Sequence, residues 1–163
     1  IKALLDPGAV EVAAAAQVPV CLMHMQGQPR TMQYSPVYQD VAKEVYDFLQ
    51  QRAEVCIAAG IPKSQIILDP GFGFGKSLQH NYQLLSQLSD LLGLNYPLLV
   101  VMSRKSMIGQ LVQVPPEERL AGSLACATIA VMKGARIIRV HDVKETVQAV
   151  AITCASLVGV ERV

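Results

Sequence analysis

Nowhere in this sequence do five or six basic residues follow one another. Its 14 lysines and arginines are scattered against 13 acidic residues, giving a net charge of +1 and an isoelectric point near 7.9. Such a balance leaves no electrostatic footprint for nucleic acid or a membrane surface, so any affinity for anions must be local. There is no signal-peptide pattern and no apolar run of 18 residues, so no membrane partner is expected. The four cysteines, Cys21, Cys56, Cys126 and Cys154, lie far apart without CxxC or Cys–His spacing. Each sits in an apolar pattern, which predicts buried free thiols and a reducing, cytoplasmic setting. No pair of His, Cys, Asp or Glu has metal-ligand spacing, which argues against a cage built by the protein alone. Low-complexity tracts and internal linkers are also missing.

What is present is apolar and periodic. With 163 residues, 52% of them hydrophobic, and a mean hydropathy of +0.33, the chain is long enough for one domain with a substantial core. Short β-rich runs at 19–25, 66–69, 97–102 and 137–141 alternate with segments of helical period near 7–16, 37–59, 78–92, 116–133 and 143–158. The strands are almost continuously apolar, the pattern of a parallel sheet covered on both faces, so the class is α/β. Pro115-Pro116 followed by Glu117 and Glu118 predicts a helix start with fixed φ and favourable charge. Four such strands fit either half of a (β/α)8 barrel or a small doubly wound sheet. Ile1 leads straight to the helix start at Asp6-Pro7 with no strand before it, and four barrel strands alone would leave two unpaired edges. The expectation is one barrel domain over 1–163, lacking its N-terminal half.

Polar residues gather where the apolar runs stop, at the strand ends that carry the site in parallel α/β folds. Asp69 is followed by three glycines in five residues, permitting positive φ and close backbone approach to a ligand. An ionised carboxylate there would accept paired N–H donors from a planar heterocycle such as an aminopyrimidinone; the alternative is a helix N-cap. Phe72 and Phe74 flank Gly73, placing two of the three phenylalanines of the chain in this loop. Either could meet a substrate ring or anchor the loop to the core, and Phe74, further from the strand, is the better ligand contact. After the third strand come Arg104, Lys105 and Ser106, two cations and a hydroxyl suited to an anion or carbonyl. Neighbours on a strand point opposite ways, so Lys105 is taken for the site and Arg104 for structure. Arg139 and His141, separated by Val140, would share a strand face and grip one anion such as diphosphate. Alternation around His24 turns Met23 and Met25 one way and the imidazole the other, so only one set lines the pocket.

The strings CLMHMQGQPRTMQ, ILDPGFGFGK, MSRKSMIG and ERLAGSLACATIAVMKGARIIRVHDV closely resemble dihydropteroate synthase, and the likeness covers essentially the whole chain. The resemblance implies the C-terminal part of a (β/α)8 barrel. Such an enzyme joins 6-hydroxymethyl-7,8-dihydropterin diphosphate to p-aminobenzoate and releases pyrophosphate. It implies that Asp69 and Lys105 bind the pterin, Met23 packs on it, and Arg139, Val140 and His141 hold the diphosphate. Gly73 and Phe74 would shape the p-aminobenzoate pocket, with Ser106 meeting the carboxylate at a helix N-terminus. Lys105, Arg139 and His141 would be the catalytic residues. A Mg²⁺ ion held mainly by substrate phosphate, a cytoplasmic location and a homodimer are implied as well. The sequence departs from the family at Val101, where glycine is usual, and a narrowed pterin floor is the expectation. Alternatives are a pterin-dependent methyltransferase on the same barrel, an aldolase using Lys105 as a Schiff base, or an inert fragment of the synthase.

Overall fold

The computed structural model describes residues 3–28, 30, 32 and 34–162. Ile1, and Pro29, Thr31 and Gln33 within the first quoted string, lie outside the described residues. Helix α1 (Ala9–Ala16) leads to strand β1 (Val20–Met23), then α2 (Val41–Ala58), β2 (Ile66–Asp69) and α3 (Leu78–Ser86). Strand β3 (Leu99–Val100), α4 (Ser106–Val112), α5 (Leu120–Met132), β4 (Ile137–Ile138) and α6 (Val143–Val158) complete the order. Among the described residues no helix is long and apolar enough to cross a membrane.

Local chemistry explains where the elements depart from the periodicity. The second helix begins at Val41, not 37, because the Asp40 carboxylate accepts the N–H groups of Ala42 and Lys43, both at 3.1 Å. The helix expected over 78–92 breaks at Gln87 into α3 and a 3-10 segment, Leu88–Leu94. Leu88, Leu91 and Leu94 are all buried, and a spacing of three keeps them on one side of a 3-10 turn. Pro116–Glu118 likewise forms only a 3-10 turn, and α5 starts after Arg119. Arg119 is held by the carbonyls of Val114, 3.3 Å away, and Arg104, 2.9 Å away. The periodicity shows no separate helix at α4. That short helix contains Gly109, where a Cβ would lie 2.2 Å from the Arg119 guanidinium.

The strands are parallel. β1 pairs with β2 and β3 with β4, and a bridge between Leu68 and Leu98 joins the two pairs in the order β1-β2-β3-β4. Three of the four strands are shorter than their apolar runs, since β3 stops at Val100 and β4 at Ile138, although Arg139 N–H still donates to the Val100 carbonyl at 3.0 Å.

The register separates two faces. Val20, Leu22, Ile66, Leu68, Leu98 and Val100 form one face, all buried against the helices, and they continue into a core with Val45 and Leu49 of α2. The opposite face is Cys21, Ile67, Leu99 and Ile137, none of them buried. This second face is apolar, and among the described residues no layer packs upon it. For the same reason Cys21 is an exposed thiol, not a buried one. Met23 and Asp69, opposite one another in the register, end that uncovered face.

Candidate active site

Asp69 closes β2 with only 5% of its surface exposed, and its Oδ1 accepts the Gly71 N–H at 2.8 Å. It is no helix cap, because α3 is capped eight residues later by Ser77, whose hydroxyl accepts the His80 N–H. Burial raises the Asp69 carboxyl above its ordinary range, opposed by the Gly71 N–H and the charges of Lys105, Lys76 and Arg139. The charges of three cations from three separate segments thus bear on one carboxyl.

The loop after Asp69 is wound tightly. Gly71 has φ +69°, and a Cβ there would sit 1.8 Å from the His24 carbonyl oxygen; at Gly75, φ +63°, it would sit 2.3 Å from that of Gln26. Both backbones touch the chain leaving β1, so only glycine fits. Gly71→Ala should cost on the order of 3 kcal/mol or more, combining positive-φ strain with a backbone clash, and urea unfolding reads that loss. Of the two rings, Phe72 is wholly buried in the core, which decides its alternatives, whereas Phe74 is half-buried at the surface of the loop.

Lys105 is half-buried before α4. Its ammonium donates to the Phe72 carbonyl and lies 4.6 Å from the centre of the Phe74 ring. Burial pushes Lys105 down to about 8, with Asp69 acting upward and Arg139 downward. Gly73 leaves room for this lysine: a Cβ there would be 3.3 Å from Lys105 Cδ. Ser106 opens α4, exposed, and lines with Ser77, Asn81 and Gln110 a cavity of about 580 Å³.

Arg104 points away and pairs with Asp142 through two of its guanidinium nitrogens, Nε at 3.0 Å and Nη2, tying the loop after β3 to the start of α6. That contact holds the Asp142 carboxyl below its usual range. Arg139 and His141 are both exposed, but they stand beyond the last residue of β4, so their expected common strand face is not formed by strand geometry. His141 is instead fixed by buried Ser103, whose Oγ accepts its backbone N–H at 3.1 Å and meets Nδ1 at 3.0 Å. With the serine hydroxyl donating to Nδ1, the Nε2–H remains for a ligand. Val140 lines an apolar groove of about 1060 Å³ with Val143 and Val147 of α6.

Lys76 escaped the sequence reading, and so did its contact with His24. His24 and Lys76 are 5% and 3% exposed, and Lys76 Nζ lies 2.9 Å from His24 Nδ1. Burial and then the Lys76 charge lower His24 to about 3, keeping it neutral, while burial takes Lys76 to about 7. Met23, which ends β1, lines a small cavity with Met25 and Phe48, while the His24 ring is buried against Phe48 and Lys76. A lysine ending a glycine-rich run reads as an exposed cation, and nothing local announces that it folds back inward. Among the described residues no three His, Cys, Asp or Glu side chains come together to hold a metal ion.

The model of the pterin binding enzyme family matches residues 1–141. The chain belongs to the pterin binding enzymes. It is 59% identical over 157 residues to dihydropteroate synthase of Escherichia coli K12, covering 96% of this chain and 56% of that protein. The synthase of Haemophilus influenzae is 55% identical over 146 residues, covering 90% and 53%. A structure of Yersinia pestis dihydropteroate synthase in a sulfonamide drug complex superimposes with TM-score 0.94 at 60% identity, over 96% of this chain and 57% of the other. The Xanthomonas albilineans synthase in complex with 7,8-dihydropteroate gives 0.90 at 43% identity, over 97% and 58%. This pterin binding enzyme chain thus spans somewhat over half the length of the curated relatives it matches.

Proposed function

We propose that this chain carries the pterin, p-aminobenzoate and diphosphate contacts of a dihydropteroate synthase. The observation that carries the reading is the buried Asp69 carboxyl closing β2, under the charges of Lys105 and Arg139, with the Lys105 ammonium 4.6 Å from the centre of the Phe74 ring. Asp69 accepts the pterin N–H groups, Lys105 leaves the Phe72 carbonyl for the ring, and Met23 packs below it. Gly73, Phe74 and Ser106 bound the p-aminobenzoate side. Arg139 and His141, with the backbone at Val140, take the diphosphate. Ionisation of the methylene C–O bond leaves a pterin-stabilised cation and a pyrophosphate anion. The amine of p-aminobenzoate then attacks the carbon and loses its proton. The side chains need only bind the leaving group and position the amine. A methyltransferase would need no anion grip beyond the pterin acid, and the relatives above are synthases. A sulfonamide bound in a relative accords with a p-aminobenzoate-shaped site here.

One barrel domain, of which this chain forms a part, accounts best for the open face. In a (β/α)8 barrel the residues at Cys21, Ile67, Leu99 and Ile137 would point inward and pack against opposing strands. The free edge of β4 and the apolar groove beside it are what further strands would cover. Mg²⁺ is the cofactor of this reading, but the residues here do not by themselves fit it: Asp142, the carboxylate nearest the diphosphate grip, is committed to Arg104. The ion would be held through substrate phosphate and water. A cytoplasmic homodimer completes the proposal, supported by the free thiols and by exposed Val143, Val147, Ile152 and Leu157 on α6.

Pyrophosphate release tests the function, assayed in this chain alone and in a chimera joining it to the N-terminal portion of the E. coli relative. The chimera should turn over. A silent chimera beside an active E. coli parent would overturn the reading. Val101, half-buried directly after β3, should crowd the pterin. Val101→Gly is expected to raise dihydropteroate affinity about fivefold, a relief of roughly 1 kcal/mol visible by calorimetry.

A further inference from the structure

We infer that Lys76 is a positioning residue, the buried centre on which the 69–75 loop is wound so that Asp69 and Phe74 meet the ligand. The inference rests on the function proposed above but starts from geometry that needs no ligand. Lys76 Nζ has three neighbours: the carbonyls of Gly71 at 2.9 Å and Phe74 at 3.3 Å, and His24 Nδ1 at 2.9 Å. In its charged form, which burial confines to below about pH 7, Lys76 has three N–H donors and no lone pair, so three acceptors satisfy it when His24 offers Nδ1 unprotonated. Edge-on packing against Phe48, with centroids 5.0 Å apart, holds the ring in place, and burial beside the Lys76 charge keeps it neutral.

The loop depends on this centre for its shape. Its glycines turn the carbonyls of residues 71 and 74 inward, toward one point, where backbone acceptors would repel each other without a cation between them. The rest of the loop is held from its rim. Tyr38 donates its hydroxyl to the Gly75 carbonyl at 2.7 Å, and Asn81 Oδ1 accepts the Gly73 N–H at 2.7 Å. Two lysines therefore divide the loop between them. Lys76 holds Gly71 and Phe74 from the buried side. Lys105 holds Phe72 from the ligand side, where a pterin can draw it away. When Lys105 moves, Lys76 is what keeps Phe74 and the Asp69–Gly71 hydrogen bond in position.

The test compares wild type with Lys76→Met, which keeps the stem and removes the donors. Hydrogen exchange is followed at the amides of residues 71–75 in the ligand-free chain, and calorimetry on the chimera measures 7,8-dihydropteroate and, separately, pyrophosphate. Expected are exchange at Gly73 and Phe74 faster by about tenfold or more, and dihydropteroate affinity weaker by about tenfold, with pyrophosphate affinity within about twofold. Unchanged loop exchange would overturn the inference, as would equal losses for both ligands, which mark a general loss of structure. If Lys76→Met does not fold, His24→Leu and His24→Asn decide. Leucine removes one acceptor and should speed loop exchange, whereas asparagine retains a side-chain acceptor and should restore protection; equal behaviour of the two refutes the role. A wild-type chimera that binds neither ligand would sink the proposed function, while the exchange measurement still judges Lys76.

Discussion

Arg139→Ala in the chimera should lower kcat roughly 30- to 1,000-fold, about 2–4 kcal/mol, the magnitude of losing one preorganised donor to a developing charge. The charge of Arg139 is felt at both Asp69 and Lys105, and its side chain is exposed toward solvent. Its backbone is tied to β3 through Val100, which makes the guanidinium available from a rigid base. Because negative charge grows on the diphosphate as the C–O bond breaks, the loss should fall on kcat more than on KM for p-aminobenzoate. Arg139→Lys should recover only part of it, since a lysine is a point charge without the bidentate fork. Steady-state kinetics with unchanged kcat in the alanine variant would remove Arg139 from leaving-group stabilisation.

Asp69→Asn should weaken 7,8-dihydropteroate binding by about 2–5 kcal/mol, or roughly 30- to 4,000-fold, as expected when one partner of a buried charged hydrogen-bond pair is altered. Asparagine retains an oxygen for the Gly71 N–H, so the loop turn survives. Its amide nitrogen, however, presents a donor where the ligand also presents N–H groups, and the charge opposite Lys105 and Arg139 is gone. The pH dependence has a definite sign. Burial raises the folded carboxyl above its ordinary value, and only the ionised form accepts two N–H donors. Wild-type affinity should therefore fall as pH falls through that raised value, beginning above the usual carboxylate range, while the asparagine variant stays flat. Calorimetry across acidic pH checks both points, and a wild-type affinity independent of pH would place the recognition elsewhere.

Patterning within a few residues made much of this molecule legible. The run Ile66–Asp69 and the helix Val143–Val158 stand where the apolar periods end, because period and capping act over one or two turns and carry their own signal. The strand ends at Asp69, Lys105 and Arg139 were readable for the same reason: polar residues interrupt apolar runs there. Lys105 and Arg104 do point apart, but the strand alternation expected of them is not the cause: β3 ends at Val100, and a left-handed Arg104, φ +55°, before the N-cap Lys105 sends the guanidinium to Asp142.

Other features depended on what lies opposite in space. Phe72 and Phe74 are the same residue type two positions apart, yet one fills the core and the other lies under Lys105, a division made by the turn at Gly71 and Gly73. The short reach of β3 and β4 reflects the pairing actually available, not the length of the apolar run. Whether an apolar strand face is covered is likewise invisible in one strand, since the sequence encodes preference for burial but not the layer that satisfies it. By itself the sequence determined the alternation of strands and helices and the positions where chemistry gathers, because both are local. Only the tertiary structure decided that Lys76 turns inward to His24 and that His141 rests on Ser103, because each is a contact between segments distant along the chain.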